Sequence, residues 1–171
     1  FDEDTKNRVM GILRRLKWLK QNHKTLELPD LHWLEPCPSP AEALVGLCMG
    51  SSSVHDYSNL DLPEYIRGIF GYDKWRAFEE MAPTHFQLPD GSRKRLRYDE
   101  SAAPVLSTRF ERLFGVQSSP HIAGIALMLE LLGPNMRPIQ LTQDLASFWS
   151  NTYPLIRKEL RGRYPKHPWP E

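Results

Sequence analysis

The sequence predicts an α+β fold: a helical N-terminal half followed by a small antiparallel sheet, two β-hairpins, packed with helices. Three observations carry this. Apolar residues recur at helical spacing over residues 5–22 and 61–82. The period changes to two over 85–98 and again over 125–141. Each alternating stretch contains a turn signal, Pro89-Asp90-Gly91-Ser92 in the first and Gly133-Pro134-Asn135 in the second. The change of period divides the chain into a helical lead-in region, 1–83, and an α+β module with an extended proline-rich tail, 84–171.

The first helix places Val9, Ile12, Leu13, Leu16 and Leu19 on one face. Arg8, Arg14, Arg15, Lys17 and Lys20 are expected around the remainder, as on an amphipathic packing helix. Ser39-Pro40-Ala41-Glu42 reads as a helix start, with Ser at the cap, Pro at the first position and Glu three after the cap. That helix is expected to run through Leu44, Val45 and Leu47 and to end near Gly50. Over 61–82, one or two helices break at Gly71. Tyr65, Ile66, Ile69 and Phe70 form the first stripe, Asp73 caps the second helix, Trp75, Phe78 and Met81 line it, and Pro83 stops it.

In the first hairpin, Phe86 and Leu88 answer Leu96 and Tyr98, with Arg95 and Arg97 on the other face. Residues 104–114 read as a helix that Pro104 opens: Leu106, Phe110 and Leu113 share a face and Gly115 closes it. Ile125, Leu127, Leu129 and Leu131 alternate toward the second hairpin, which returns through Ile139 and Leu141. Thr142 or Asp144 caps a helix carrying Leu145, Phe148 and Trp149, and Pro154 opens a further piece with Ile156 and Leu160 inward. The tail from Arg163 holds too many prolines for a helix.

Composition narrows the function classes. The chain has 171 residues with 22 Lys and Arg against 21 Asp and Glu, an ordinary soluble balance. No apolar run approaches the ~18 residues that a membrane crossing needs. The acidic start, Phe1-Asp2-Glu3-Asp4, is unlike a signal peptide, and with no initiator Met the chain is expected to be a processed or excised piece. Two cysteines point to a reduced, intracellular compartment. Charge is uneven: residues 1–90 hold 10 basic and 14 acidic side chains, residues 91–171 hold 12 and 7. A basic half points to an anionic partner or to an acidic neighbouring domain. The 15 prolines exclude a long coiled coil or a smooth barrel.

Catalytic signatures are missing. Gly68 and Gly71 lack the context of a phosphate loop, and no Gly-x-Ser-x-Gly elbow occurs. His32, Cys37, Cys48 and His55 match no zinc-finger spacing, so no metal is assigned. His85 and His121 read as structural or exposed. One constellation stands out near the C-terminus, where Phe148, Trp149, Tyr153, Arg157, Lys158, Arg161, Arg163, Tyr164, Lys166, His167 and Trp169 interleave aromatics with cations. Aromatic faces stack on bases and cations meet phosphates. The competing reading is packing, with Phe148 and Trp149 in the core and Trp169 anchoring the tail, and it is the favoured one. Arg157 and Arg161, one turn apart, form a cationic ridge. Arg93, Lys94, Arg95 and Arg97 add a basic strand, so these cations and aromatics are the candidates for RNA or for docking.

The wording itself is informative. Pro83-Thr84-His85, Leu88-Pro-Asp-Gly-Ser-Arg93, Leu113-Phe-Gly115, Arg137-Pro-Ile-Gln-Leu-Thr142, Ser147-Phe-Trp149 and above all the run from Arg157 to Pro170 closely resemble the C-terminal region of HrpB-type DEAH-box ATP-dependent RNA helicases. The likeness is strong over 82–171 and weaker upstream. It implies a cytoplasmic accessory segment lying after a helicase core in the same chain. That core holds ATP and magnesium and hydrolyses NTP. The segment itself would carry no catalytic residue and no cofactor. It would brace or regulate the core, or else bind single-stranded RNA.

Overall fold

A computed structural model describes residues 2–29, 61–99 and 103–171. The cap at Ser39, the helix expected to follow it, and His32, Cys37, Cys48 and His55 lie outside the described residues. The chain forms two compact units, Phe1–Ala82 and Pro83–Glu171.

The first unit is helical. Helix α1 spans Glu3–Asn22. Asp2 caps it by accepting the Thr5 N–H at 2.8 Å, and Glu3 and Asp4 complement the positive end of the helix dipole. Its buried face holds Val9, Ile12, Leu16 and Leu19 as the periodicity demands, and Trp18 joins them. Arg15 departs from expectation: it is 4% exposed rather than on the outer face. Its guanidinium lies 4.5 Å over the Phe78 ring, donates Nε–H to the Ala82 carbonyl at 2.6 Å and meets Glu79 at 2.6 Å. These contacts explain how a cation sits inside, since a buried charge must be paired and hydrogen-bonded.

Helices α2 (Leu62–Phe70) and α3 (Tyr72–Met81) meet at Gly71, whose φ of +72° is open to glycine and strained for other residues. The break is where the sequence puts it. Asp61 caps α2 through the Glu64 N–H. The buried stripe of α2 is Leu62, Pro63, Ile66 and Phe70, while Tyr65 and Ile69 are exposed, a correction of the expected stripe. Asp73 does not cap α3. Gly71 occupies that position, with no side-chain bond, and Asp73 stands in the first turn. Phe70, Trp75 and Phe78 form an aromatic triad with centroids 5.0–5.3 Å apart.

The second unit is α+β. Its five-stranded sheet has the order β1-β2-β3-β6-β7, with β1 at His85–Gln87, β2 at Arg93–Arg97, β3 at Val105–Arg109, β6 at Met128–Leu132 and β7 at Pro138–Thr142. Both expected hairpins are present, β1–β2 and β6–β7, and β3 joins them. The β3–β6 pair is parallel, so the sheet is mixed rather than wholly antiparallel. A parallel pair needs a long crossover. That crossover carries a 3-10 turn, Phe110–Leu113, and a small hairpin of β4 (His121–Ile122) with β5 (Ile125–Ala126).

The expected helix over 104–114 is therefore wrong for its first half. Leu106, Phe110 and Leu113 fit helical spacing, but Leu106, Thr108 and Phe110 also alternate, and short apolar runs are ambiguous. Strands on both sides decide it: Leu96, Leu106 and Leu129 stand in register across three strands and are all buried. Gly115 does adopt a left-handed conformation, φ +85°.

Strand β7 is followed in the chain by a helical run, α4 (Leu145–Ser147), a wide π turn (Phe148–Thr152) and α5 (Tyr153–Leu160). Asp144 caps the run by accepting the Ser147 N–H at 2.9 Å. Pro154 has no N–H to return to the preceding turn. The π turn accommodates it, and Tyr153 N–H reaches back to the Phe148 carbonyl.

Candidate functional site

The aromatics of the C-terminal constellation face inward. Phe148 is fully buried and Tyr153 is 7% exposed. Trp149 packs 4.9 Å from Phe148, 5.3 Å from Tyr153 and 5.7 Å from Phe114, and its indole N–H donates to the Val116 carbonyl at 2.7 Å. Phe110 contacts Tyr153 at 5.8 Å and Trp169 at 6.0 Å. Edge and tilted contacts of this kind each add about 0.5–1.5 kcal/mol beyond burial. These rings make a shared core, and none of Phe148, Trp149 and Tyr153 is a free stacking platform.

The tail folds back onto this core through named tethers. Tyr153 O–H donates to the Pro170 carbonyl at 3.0 Å, and Trp169 Nε1–H donates to the Tyr164 carbonyl at 2.9 Å. Arg157 Nη2 donates to Glu171 at 3.1 Å. His167 Nδ1 lies 2.8 Å from Glu111 Oε1, and its ring meets Tyr164 edge-on at 5.8 Å. Burial pushes the Tyr153 hydroxyl above its ordinary range. The nearby Glu111 carboxylate acts the same way, while Arg157 opposes them.

Arg157 is thus half-buried and bound to Glu171, so it forms no free ridge with Arg161. Lys158, Arg161, Arg163 and Lys166 are exposed. In the hairpin, Arg93 and Arg95 point to the outer face of β2. Arg97 shares that face but engages Asp99 at 3.4 Å and Glu130 at 3.6 Å. Lys94 lies on the opposite face, half-buried and in register with Phe86. The sheet turn is held by Arg112, which donates to Asp90 at 2.6 Å and to the Ser92 hydroxyl at 3.2 Å.

Sequence reasoning missed Glu111, Phe110, Phe114 and Pro170 as partners of the constellation. Their local pattern gave no signal, because the contacts form only when the tail returns to the crossover. Among the described residues, no three His, Cys, Asp or Glu side chains group as a metal site, and no helix is long and apolar enough to cross a membrane.

A family profile described as "ATP-dependent helicase C-terminal" (HrpB_C) matches residues 44–171. The ATP-dependent RNA helicase HrpB of Escherichia coli (strain K12) is 39% identical over 124 residues, covering 71% of this chain and 15% of that protein. The crystal structure of the E. coli DExH-box NTPase HrpB matches 99% of this chain and 21% of its own, with a TM-score of 0.71 and 31% identity. A crystal structure of the Escherichia coli DEAH/RHA helicase HrpB matches 95% of this chain and 21% of its own, with a TM-score of 0.62 and 30% identity. The chain therefore spans a small fraction of the length of these relatives. With three-quarters of its residues inside the profile and its fold shared over nearly its full length, the chain belongs to the HrpB-type ATP-dependent helicase C-terminal family.

Proposed function

We propose that this chain is an accessory C-terminal element of an HrpB-like ATP-dependent RNA helicase and braces the helicase core of the same polypeptide, tuning its NTP turnover. NTP hydrolysis, with ATP and magnesium, would reside in that core, and the whole protein would work in the cytoplasm. The observation that supports bracing is the inward packing of Phe148, Trp149 and Tyr153 under a strapped tail. A module that stacks on bases keeps its aromatics at the surface. This one uses them to present a rigid tail and a rim of cations. The test is made in the full-length helicase, with Arg161→Glu and Lys166→Glu together, and with the segment 164–171 removed. NTP turnover should change in both while the melting temperature of the charge variant stays put. Unchanged turnover in both overturns the reading.

A second reading rests on Lys158, Arg161, Arg163 and Lys166, exposed and without a carboxylate partner among the described residues. These would contact phosphates of single-stranded RNA, with Arg93 and Arg95 as further contacts. Four such contacts give a log–log salt slope of about −3. No binding to oligouridine at low salt sinks this reading.

A further inference from the structure

Among the described residues, strand β1 is paired on one side only. Leu88 N–H donates to the Ser92 carbonyl at 2.8 Å and Leu96 N–H to the Thr84 carbonyl at 2.9 Å. In an antiparallel pair this parity turns the backbone of Thr84, Phe86 and Leu88 toward β2. The N–H and C=O groups of His85 and Gln87 face away, and β1 has no second strand beside it among the described residues. A cleft of about 580 Å³ opens along this edge, with Phe86, Leu88, Leu113, Val116 and Pro120 as its apolar wall and Gln87, Ser118, Ser119 and His121 as its polar margin. The Arg112–Asp90 pair links the turn after β1 to the 3-10 turn that supplies Leu113.

The two faces of β1 differ in chemistry. Phe86 and Leu88 belong to the cleft side. His85 and Gln87 have the outer parity, where Arg95 and Arg93 stand opposite them in register, and Gln87 also borders the cleft. Arg93 and Arg95 have no carboxylate partner among the described residues, whereas Arg97 has two. We propose that the free edge of β1 and its cleft receive an extended acidic segment of a partner protein, which joins the sheet as a sixth strand. Backbone pairing to His85 and Gln87 supplies the register, and side chains of one parity enter the cleft. Those of the other parity lie two strands, roughly 10 Å, from Arg93 and Arg95, within reach of Glu or Asp paired with a long arginine. The occupant therefore alternates apolar and acidic residues.

Two other occupants fit less well. A second copy of this chain pairing edge to edge would set the two β2 strands three spacings, roughly 14 Å, apart and bring no carboxylate of β1 or β2 to Arg93 and Arg95. RNA could use the arginines. The alternating donors and acceptors of the β1 backbone match a peptide, however, and match no repeating feature of a nucleotide chain. The proposal stands on residues 85–121 and is independent of the role assigned to the tail.

The test pans a random peptide display library against the 171-residue chain. Enriched sequences should alternate apolar with Asp or Glu, and a synthetic peptide of that sequence should slow hydrogen exchange at the amides of His85 and Gln87. Methylating its backbone nitrogens at alternate positions should weaken binding about tenfold, the loss of a hydrogen bond or two. Arg93→Glu with Arg95→Glu, both exposed, should weaken it similarly and favour the lysine-substituted peptide. Absence of enrichment, enrichment without alternating acids, or protection elsewhere than β1 overturns the proposal. Protection of the same two amides by oligouridine and not by peptide overturns it as well.

Discussion

The hydroxyl of Tyr153 donates to the carbonyl of Pro170 at 3.0 Å, spanning seventeen residues of chain and closing the tail over the aromatic core. Tyr153→Phe keeps the ring and loses this one bond, so it should cost about 1 kcal/mol. Tyr153→Ala also removes the ring between Phe110, Phe114 and Trp149 and should cost about 3–5 kcal/mol. Urea unfolding of the two variants checks the ranking. Equal losses would mean that the ring contributes nothing beyond its hydroxyl.

The same hydroxyl gives the fold an alkaline limit. Burial, with Glu111, raises its pKa above the ordinary value of 10.0. An unfolded tyrosine then loses its proton before the folded one does. Stability is fully present below pH 10 and falls as pH rises through the raised value. Tyr153→Phe should flatten this limb in unfolding measured between pH 9 and 11.

Asp90 sets a limit on the acid side. Its bonds from the Ser92 hydroxyl and N–H, then Arg112, hold its carboxyl below the usual 3.8. The stability this confers is present above that value and is lost as pH falls through the lowered one. Carboxyl titration by NMR should show a low midpoint for Asp90. Ser92→Ala should move it upward, and Arg112→Ala should do so by less. An unchanged midpoint in Ser92→Ala would mean that the hydroxyl contact is absent in solution.

Arg15 illustrates both what sequence reading reaches and where it stops. The periodicity of α1 located its apolar face, because twenty residues repeat the pattern several times. It placed Arg15 outside, because the partner that buries it is Glu79, 64 residues later. The two hairpins were legible for a local reason, since Asp90-Gly91 and Gly133-Pro134-Asn135 set turns between alternating runs. Strand β3 was not, because its pairing with β2 and β6 overrides a helical spacing that is equally satisfied. The C-terminal constellation was recognisable as a group of residues, but its aromatic half became core only through Phe110 and Phe114 in the crossover.

Arg15→Ala should be the costliest change on the surface-like positions of α1. It leaves the Ala82 carbonyl without its donor, a loss of about 1–3 kcal/mol, and removes the contact over Phe78. Glu79 is 39% exposed and rehydrates, so the loss stays below that of a wholly buried pair. Arg14→Ala, on the exposed face, should stay within about 0.5 kcal/mol. Thermal unfolding of the pair separates the two positions, and similar melting temperatures would place Arg15 at the surface in solution.

Met136 offers the opposite test, a gain. It closes the β6–β7 turn with φ +64°, and its N–H donates to the Gly133 carbonyl at 3.0 Å. The left-handed region costs a side-chain-bearing residue roughly 1–2 kcal/mol. Its side chain is 59% exposed and so recovers little by packing. Met136→Gly removes the backbone strain, and the greater freedom of glycine in the unfolded chain offsets about 0.5–1 kcal/mol of the gain. The variant should be more stable by ~0.5 kcal/mol, and Met136→Asn should share part of this because asparagine tolerates the left-handed region. Met136→Ile, β-branched in the same conformation, should lose stability. Chemical denaturation that ranks Gly and Asn above Met, and Met above Ile, would establish that strain at this turn governs the effect. The reverse order would show that the Met136 side chain contributes more than its exposure indicates.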